Sequence, residues 1–161
     1  IAANSPICGE LKAHVERGGY ALGICNGFQV LTETGLLPGA LRRNAGLKYI
    51  CKPIELQVEA ADTAYTSGYE AGQVITVPIA HHDGNYYVDE AKLAELRAEG
   101  RITFSYVNNP NGSVADIAGV VSRNRRVLGM MPHPERMAEP SHGGTDGKAM
   151  FTSLMSQMAL A

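Results

Sequence analysis

The stretch Tyr20-Ala21-Leu22-Gly23-Ile24-Cys25-Asn26-Gly27-Phe28-Gln29 joins a short apolar run, a G-x-C-x-G motif and the start of an apolar-periodic segment. This order predicts a buried strand, a sharp turn and a helix, which together form a nucleophile elbow with cysteine in place of serine. We expect the two glycines because a Cβ would obstruct a tight turn. The cysteine would stand at a helix N-terminus, where the helix dipole favours the nucleophilic thiolate.

The composition of the 161 residues is that of an ordinary globular chain, with 45% hydrophobic and 19% charged residues. The net charge of −2 provides no basic surface, so we expect no nucleic-acid partner. No apolar run approaches the roughly 20 residues of a membrane span, so we expect no membrane association. The three cysteines show no CxxC spacing, which argues against zinc and favours a reducing, cytoplasmic compartment. We expect one domain over residues 1–161.

The remaining patterns predict a layered α/β domain with a mostly parallel sheet flanked by helices. Apolar residues at helical spacing predict helices over about 5–17, 89–100 and 146–160. Extended segments are predicted at 20–24, 48–59 with a break at Pro53, 74–79, 102–107, 117–121 and 127–131. Asn111-Gly112 is predicted to form a type I′ hairpin turn. The stripe of Met150, Leu154 and Met158 on the last helix is predicted to face the core.

A cysteine nucleophile needs a base, and the base needs a group that orients it. His133 is the best of the five histidines because it directly follows the apolar run 127–131. Glu135 lies two residues further on, and residues i and i+2 of extended backbone point the same way. The flanking prolines favour extended geometry there. The residues thus predict a triad of Cys25, His133 and Glu135, whereas Cys8 and Cys51 lack any such frame and are interpreted as structural.

Other residues near these motifs have weaker signals. The backbone N–H of Asn26, just after the nucleophile, is the expected first donor of an oxyanion hole. A second donor usually comes from a glycine-rich loop after an earlier strand, and no such loop precedes Cys25 in this sequence. His81 and His82 follow a predicted strand, where either substrate contacts or a plain turn would fit.

Taken together, the motifs resemble those of class I, triad-type glutamine amidotransferases. The longer sequence stretches around these motifs resemble the family of glutaminase subunits of phosphoribosylformylglycinamidine synthase, and the resemblance covers essentially the whole chain. The stretches that carry it are Gly23–Gln29, Leu36–Asn44, Tyr49–Cys51, Thr76–His81, Gly84–Tyr87, Asn109–Ser113, Ile117–Gly119 and Gly129–Arg136.

The resemblance implies a role for each matching residue. Cys25 would attack the side-chain amide of glutamine and release ammonia, His133 would transfer the proton, and Glu135 would orient His133. Gln29 would help to hold the backbone groups of the substrate, and the loop at His81 and His82 would approach bound glutamine. The ammonia would pass to a large synthetase subunit that uses ATP and Mg²⁺, and a small third subunit would bridge the complex. This chain itself would bind no cofactor.

Two departures from the family pattern accompany the resemblance. The family usually has His-Gly-Glu-Gly where this chain has His81-His82-Asp83-Gly84, so the loop backbone or its contacts are expected to differ. The family also carries an N-terminal portion before the point that matches Ile1, which supplies strands and the second oxyanion donor, so we expect a truncated chain. Two other interpretations stay open: a non-catalytic module that docks the synthetase, and another cysteine hydrolase with an elbow nucleophile.

Overall fold

The computed structural model describes residues 5–160, which form twelve helices and strands with three short 3₁₀ turns among them. The helices are α1 (Pro6–Glu16), α2 (Asn26–Glu33), α3 (Glu90–Ala98) and α4 (Lys148–Ala159). The strands are β1 (Ala21–Ile24), β2 (Ala40–Arg42), β3 (Ile50–Val58), β4 (Val74–His81), β5 (Asn85–Tyr87), β6 (Ile102–Tyr106), β7 (Ile117–Val121) and β8 (Val127–Met130). The strands predicted from hydrophobic patterning are all present, and the short β2 and β5 were predicted as loop and turn.

Six strands form one mixed sheet in the order β1-β8-β7-β6-β3-β4, and β2 pairs with β5 in a second, two-stranded sheet. The α/β class with flanking helices is confirmed, but the prediction of a mostly parallel sheet is wrong for the described residues. Only the β1–β8 pair is parallel there, and the other pairs are antiparallel. The reason is connectivity, because the links that join β3 to β4, β6 to β7 and β7 to β8 contain no crossover α-helix.

Strand β3 continues through Pro53, where the sequence predicted a break. Pro53 lies opposite Pro78 of β4, so two residues without an N–H donor face each other across the ladder. The second neighbour of β3, strand β6, pairs only with the segment from Leu56 to Val58. Pro53 therefore occupies a position where the missing donor leaves no partner unsatisfied, as prolines in strands generally do.

The sheet has an apolar cluster on each face, because neighbouring residues of a strand point to opposite sides. Val127 and Val120 belong to the cluster covered by α2 and α3, whereas Leu128 and Val121 belong to the other cluster. The first face also receives Leu11 and Val15 of α1, Phe28 and Leu31 of α2, and Leu93 and Leu96 of α3. The second face receives Met150 of α4. No helix within residues 5–160 is both long and apolar enough to cross a membrane.

Three smaller predictions need correction. Asn111-Gly112 is not a type I′ turn, because that turn requires positive φ at both residues and only Gly112 has it, at 86°. Along α4, Met150 is buried but Met158 is exposed, so the apolar stripe leaves the core before the helix ends. Cys8 is buried as expected for a structural cysteine, whereas Cys51 lies exposed on β3 and contributes no packing in the core.

Replacing Gly129 by alanine should destabilise the fold by about 1–3 kcal/mol, the usual cost of overpacking a core. A Cβ at this β8 position would lie 2.2 Å from the Phe28 ring and 2.7 Å from Leu37, so α2 would have to move off the sheet. The measurement is urea unfolding of the wild type and of Gly129→Ala, with Gly46→Ala as a matched control, because its Cβ would meet nothing within 4 Å. Equal stability of Gly129→Ala and the control would contradict this packing.

Candidate active site

The elbow places Cys25 between the end of β1 and the first residue of α2. Its φ of 53° and ψ of −109° are a strained conformation for a residue with a side chain. Such strain is typical of functional residues whose surroundings hold the backbone in place. Here the Cys25 N–H donates to Met130 O over 2.8 Å, and the Cys25 carbonyl accepts the N–H of Gln29 in α2. The predicted strand, turn and helix are therefore present, with α2 starting at Asn26.

The two motif glycines have different steric surroundings. A Cβ at Gly23 would lie 2.4 Å from Leu31 and 2.7 Å from the Gly27 backbone, so only glycine lets α2 approach β1 this closely. A Cβ at Gly27 would meet nothing within 4 Å. A Cβ would thus obstruct the turn at Gly23, as predicted, but not at Gly27.

The parallel register of β1 and β8 brings the cysteine and the histidine to the same end of the sheet. Ile24 pairs with Met130, so Cys25 and the residues after Met130 leave the sheet together. The His133 N–H donates to Pro78 O of β4 over 2.8 Å. Strand β4 is at the other end of the strand order, so the segment after β8 reaches from one end of the sheet to the other.

His133 and Glu135 form the predicted hydrogen-bonded pair. Nδ1 of His133 lies 2.6 Å from Oε1 of Glu135, and the imidazole is buried, with 6% of the residue exposed. Cys25 and then Glu135 raise the pKa of His133 to about 9, against the opposing effect of burial. Among the described residues, the buried Nε2 atom of His133 has no aligned hydrogen-bond partner, since the Cys25 thiol points to Ala80 O at 3.7 Å. The imidazole is therefore held by Glu135 with its second nitrogen available.

Glu135 is held as a carboxylate. Burial acts to raise its pKa, but the hydrogen bond from His133, a backbone hydrogen bond and the charges of His133 and Arg136 lower the pKa overall. Nε of Arg136 lies 3.5 Å from Oε1 of the same carboxylate. Glu135 thus contacts a cation on each side and can stabilise an imidazolium at His133.

A cavity of about 410 Å³ opens in front of Cys25. It is lined by Ile24, Cys25, Asn26, Gln29, Tyr49, Ala80, His81, His82, Asp83, Met131, His133 and Arg136. Its volume suits a small polar molecule such as an amino acid, and it combines a thiol, an imidazole and side chains of both charges. Within residues 5–160, no group of three or more His, Cys, Asp and Glu side chains is arranged to hold a metal ion.

Six of the seven predicted site residues line this cavity, and the seventh, Glu135, contacts it through its hydrogen bond with His133. Asn26 is the first residue of α2, so its N–H has no partner within the helix and lies beside the nucleophile. Gln29 lines the cavity and donates to Glu33 one turn later over 2.9 Å. His82 is half exposed, and its φ is not positive, so replacing the family glycine puts no strain on the backbone.

His81 differs from the other cavity residues because both its ring nitrogens already have partners. Nδ1 lies 3.0 Å from Asn44 Oδ1 and Nε2 lies 3.4 Å from Asn111 Nδ2. Only 4% of the residue is exposed. No ring nitrogen of His81 is thus left to bind a substrate, although the sequence predicted a substrate contact.

Sequence reasoning missed several residues that shape the site. Asn44 was part of a resemblance motif and Asn111 was assigned to a turn, although both are buried beside His81. Gly147, before α4, allows that helix to pack on the triad segment, because a Cβ there would lie 2.0 Å from Pro134 O. Its N–H donates to Met137 O. These contacts span 30 residues or more of sequence or depend on backbone approach, so no local pattern reveals them.

Comparison with known proteins identifies relatives along most of the chain. Residues 1–150 match the CobB/CobQ-like glutamine amidotransferase domain. The protein named phosphoribosylformylglycinamidine synthase subunit PurQ from Ruegeria sp. (strain TM1040) is 70% identical over 154 residues, covering 96% of this chain and 69% of that protein. The protein of the same name from Lacticaseibacillus paracasei is 55% identical, covering 98% of this chain and 69% of its own length.

Two solved structures resemble this chain to different degrees. A structure of PurLQS from Thermotoga maritima superposes with a TM-score of 0.89 at 42% identity, covering 98% of this chain and 70% of that chain. The glutaminase domain of Trypanosoma brucei CTPS with bound acivicin superposes with a TM-score of 0.51 at 13% identity, covering 84% of this chain and 60% of that one. The second likeness concerns the fold alone.

Replacing Glu135 by glutamine should lower the pKa of His133 from about 9 toward its ordinary value of 6.5, because the carboxylate that favours the imidazolium is lost. The measurement is an NMR titration of the His133 imidazole in the wild type and in Glu135→Gln. Glu139→Gln is the control, since Glu139 is exposed and its recorded side-chain contact is with Ser141.

The same change should alter how stability depends on pH. The pKa of His133 is higher in the folded chain than in the unfolded chain. The contribution of this residue to the free energy of unfolding is therefore fully present below pH 6.5 and is lost as the pH rises through about 9. Glu135→Gln should therefore flatten the fall in unfolding free energy between these values. An unchanged His133 titration in Glu135→Gln would contradict the pairing.

Proposed function

This chain belongs to the CobB/CobQ-like glutamine amidotransferase family and, within it, to the PurQ subunits of phosphoribosylformylglycinamidine synthase, and from this premise we propose that Cys25, His133 and Glu135 catalyse its glutaminase reaction. The protein is a glutamine amidotransferase that hydrolyses glutamine to glutamate and ammonia. The observation that carries the site assignment is the juxtaposition of a strained elbow cysteine with a buried, Glu-paired histidine at one cavity. The ammonia serves the amidation of formylglycinamide ribonucleotide in purine biosynthesis.

In the proposed first step, Nε2 of His133 holds the proton taken from the Cys25 thiol, and sulfur attacks the side-chain amide carbon of glutamine. The C=O electron pair moves onto oxygen, where the N–H of Asn26 at the start of α2 would stabilise the negative charge. His133 then gives the proton to the amide nitrogen as the C–N bond breaks. This releases ammonia and leaves a glutamyl thioester on Cys25.

In the proposed second step, water attacks the thioester carbon while His133 accepts a proton from the water. Collapse of the intermediate breaks the C–S bond, and the proton returns to sulfur, so that glutamate leaves and the thiol is restored. The raised pKa of His133 supports this role, because it favours the imidazolium that holds the proton taken from the Cys25 thiol and then gives it to the leaving amide nitrogen. Glu135 stays ionised and orients the ring through Nδ1.

Substrate binding is proposed to use the polar side of the cavity. Gln29 lies one helical turn after the nucleophile, so its side-chain amide is suited to hold the α-amino or α-carboxylate group of glutamine. The backbone around His82 forms the opposite wall. A substrate amide carbon would then lie between Cys25 and these contacts.

The partners follow from the family. PurQ acts with PurL and PurS, the other subunits named in the Thermotoga maritima complex, and the ammonia passes from this chain to the synthetase subunit. We propose that this chain binds no cofactor of its own and that ATP and Mg²⁺ are used by that partner. We also propose a cytoplasmic location, since the substrates of purine biosynthesis are small soluble metabolites.

Replacing Cys25 by alanine should reduce glutamine-dependent activity of the assembled complex by on the order of 10⁴-fold or more, because the nucleophile is lost. Activity with added ammonium salt in place of glutamine should persist, since the synthetase reaction does not need Cys25. Both activities are measured in the reconstituted complex. Cys51→Ala is the matched control, because Cys51 lies exposed on β3 and outside the cavity.

Two results would contradict the proposal. Retained glutamine-dependent activity in Cys25→Ala would exclude Cys25 as the nucleophile. A wild-type complex that uses ammonium but never glutamine would instead support the non-catalytic docking module.

A further inference from the structure

We propose that His81, clamped between Asn44 and Asn111, is a positioning residue that holds the Ala80–Asp83 wall of the cavity against the Cys25 thiol and does not bind glutamine itself. The fixed position of His81 is inferred from its hydrogen bonds and packing, independently of the reaction at Cys25. Its effect on catalysis rests on the proposed function of the cavity.

The Asn44 side chain is completely buried and uses both donors and both acceptor positions. Nδ2 donates to the carbonyls of Lys48 and His81 over 2.8 and 3.0 Å. Oδ1 accepts the Gly84 N–H over 3.0 Å and lies 3.0 Å from His81 Nδ1. Two carbonyls on one side and a backbone N–H on the other fix the orientation of this amide. Nδ1 of His81 must therefore carry a proton and donate it to Asn44.

The Asn111 side chain closes the other end of the imidazole. Its Oδ1 accepts from the N–H and the hydroxyl of Ser113 over 3.1 and 2.7 Å, so Nδ2 is the nitrogen that faces His81. One N–H of Nδ2 donates to Gly84 O over 2.8 Å, and the other is shared between the Tyr106 hydroxyl at 3.2 Å and His81 Nε2 at 3.4 Å. Because an NH₂ group faces Nε2, that nitrogen must accept, and His81 is the neutral Nδ1–H tautomer.

The surroundings of the ring favour the same state. Burial lowers the pKa of His81 to about 4, and the charge of His133 acts in the same direction, whereas Asp83 opposes it. A Cβ at Gly84 would lie 2.2 Å from the His81 ring, so the imidazole packs directly on the loop backbone. The ring is thus fixed by two amides and one glycine.

These contacts join three chain segments that are distant in sequence. Asn44 belongs to the link between β2 and β3, His81 ends β4, and Asn111 lies between β6 and β7. The N–H of Asn44 also donates to His82 O over 2.9 Å. Ala80, next to His81, provides the carbonyl that the Cys25 thiol faces at 3.7 Å. Movement of His81 would therefore move both the cavity wall and the group in contact with the nucleophile.

The first test is an NMR measurement on the ¹⁵N-labelled wild-type chain at pH 7. Long-range ¹H–¹⁵N correlations distinguish an Nδ1–H imidazole from an Nε2–H imidazole and from the cation. We expect His81 to be the neutral Nδ1–H tautomer. An Nε2–H or protonated His81 would overturn the proposal, and this result does not depend on the protein being a glutaminase.

The second test compares His81→Phe, which removes both hydrogen bonds, with His81→Asn, whose amide can still donate to Asn44. His81→Phe should lower glutamine kcat/KM of the complex by about 10²-fold, because small displacements of reacting groups cost that much. His81→Asn should recover about tenfold of this loss. His142→Phe is the matched control, since His142 lies on an exposed 3₁₀ turn outside the cavity.

A third measurement separates positioning from substrate binding. The rate at which iodoacetamide alkylates Cys25 is followed without glutamine, with folding of each variant checked by circular dichroism. His81→Phe should react at least about threefold faster, because the thiol loses its carbonyl partner and its covering wall. An unchanged alkylation rate with a rise in KM alone would overturn the proposal and make His81 a substrate-binding residue. If the wild-type complex lacks glutaminase activity, the proposed function fails, whereas tautomer and alkylation still decide the role of His81.

Discussion

The parallel pairing of β1 with β8 is the constraint on which the rest of the site depends. It places the ends of both strands together, so that Cys25 follows one and His133 follows the other. The elbow adds a second constraint, because Gly23 lets α2 pack on β1 and the backbone of Cys25 is held in a strained conformation. Strand β4 lies at the same place, because His133 contacts Pro78 and Cys25 contacts Ala80. The backbone geometry of the two strands and the elbow thus determines where the reactive side chains lie.

Two buried histidines near the nucleophile are held in opposite states by their neighbours. His133 faces the Cys25 thiol and a carboxylate, which raise its pKa, and it has one nitrogen without an aligned partner among the described residues. His81 faces two amides that take up both its nitrogens, and burial lowers its pKa. A residue that must accept and return a proton needs the first arrangement, whereas a residue that must stay fixed needs the second. The different surroundings explain why two similar side chains are assigned different roles.

The sequence was sufficient for the parts of the molecule that follow from local patterns. The strand, turn and helix around Cys25, and the pairing of His133 with Glu135, follow from glycine spacing and from the alternation of extended backbone. Local patterns did not show whether neighbouring strands run parallel or antiparallel, because this depends on whether the link between them crosses over the sheet. The buried amides of Asn44 and Asn111 were also missed. Asn44 lies in a segment without a local signal, and Asn111 stands between proline and glycine, which usually indicates a turn. Their partners lie about 30 to 40 residues away.

The most direct test of the central claim is the intact mass of this chain after exposure to an electrophilic glutamine analogue. We expect a single adduct that peptide mapping assigns to Cys25, that excess glutamine prevents, and that His133→Ala abolishes. Cys51, which is more exposed, should remain unmodified because it has neither a base nor a cavity beside it. Labelling of Cys51 in preference to Cys25, or labelling of Cys25 that glutamine does not affect, would contradict a glutamine site built by the elbow and its histidine.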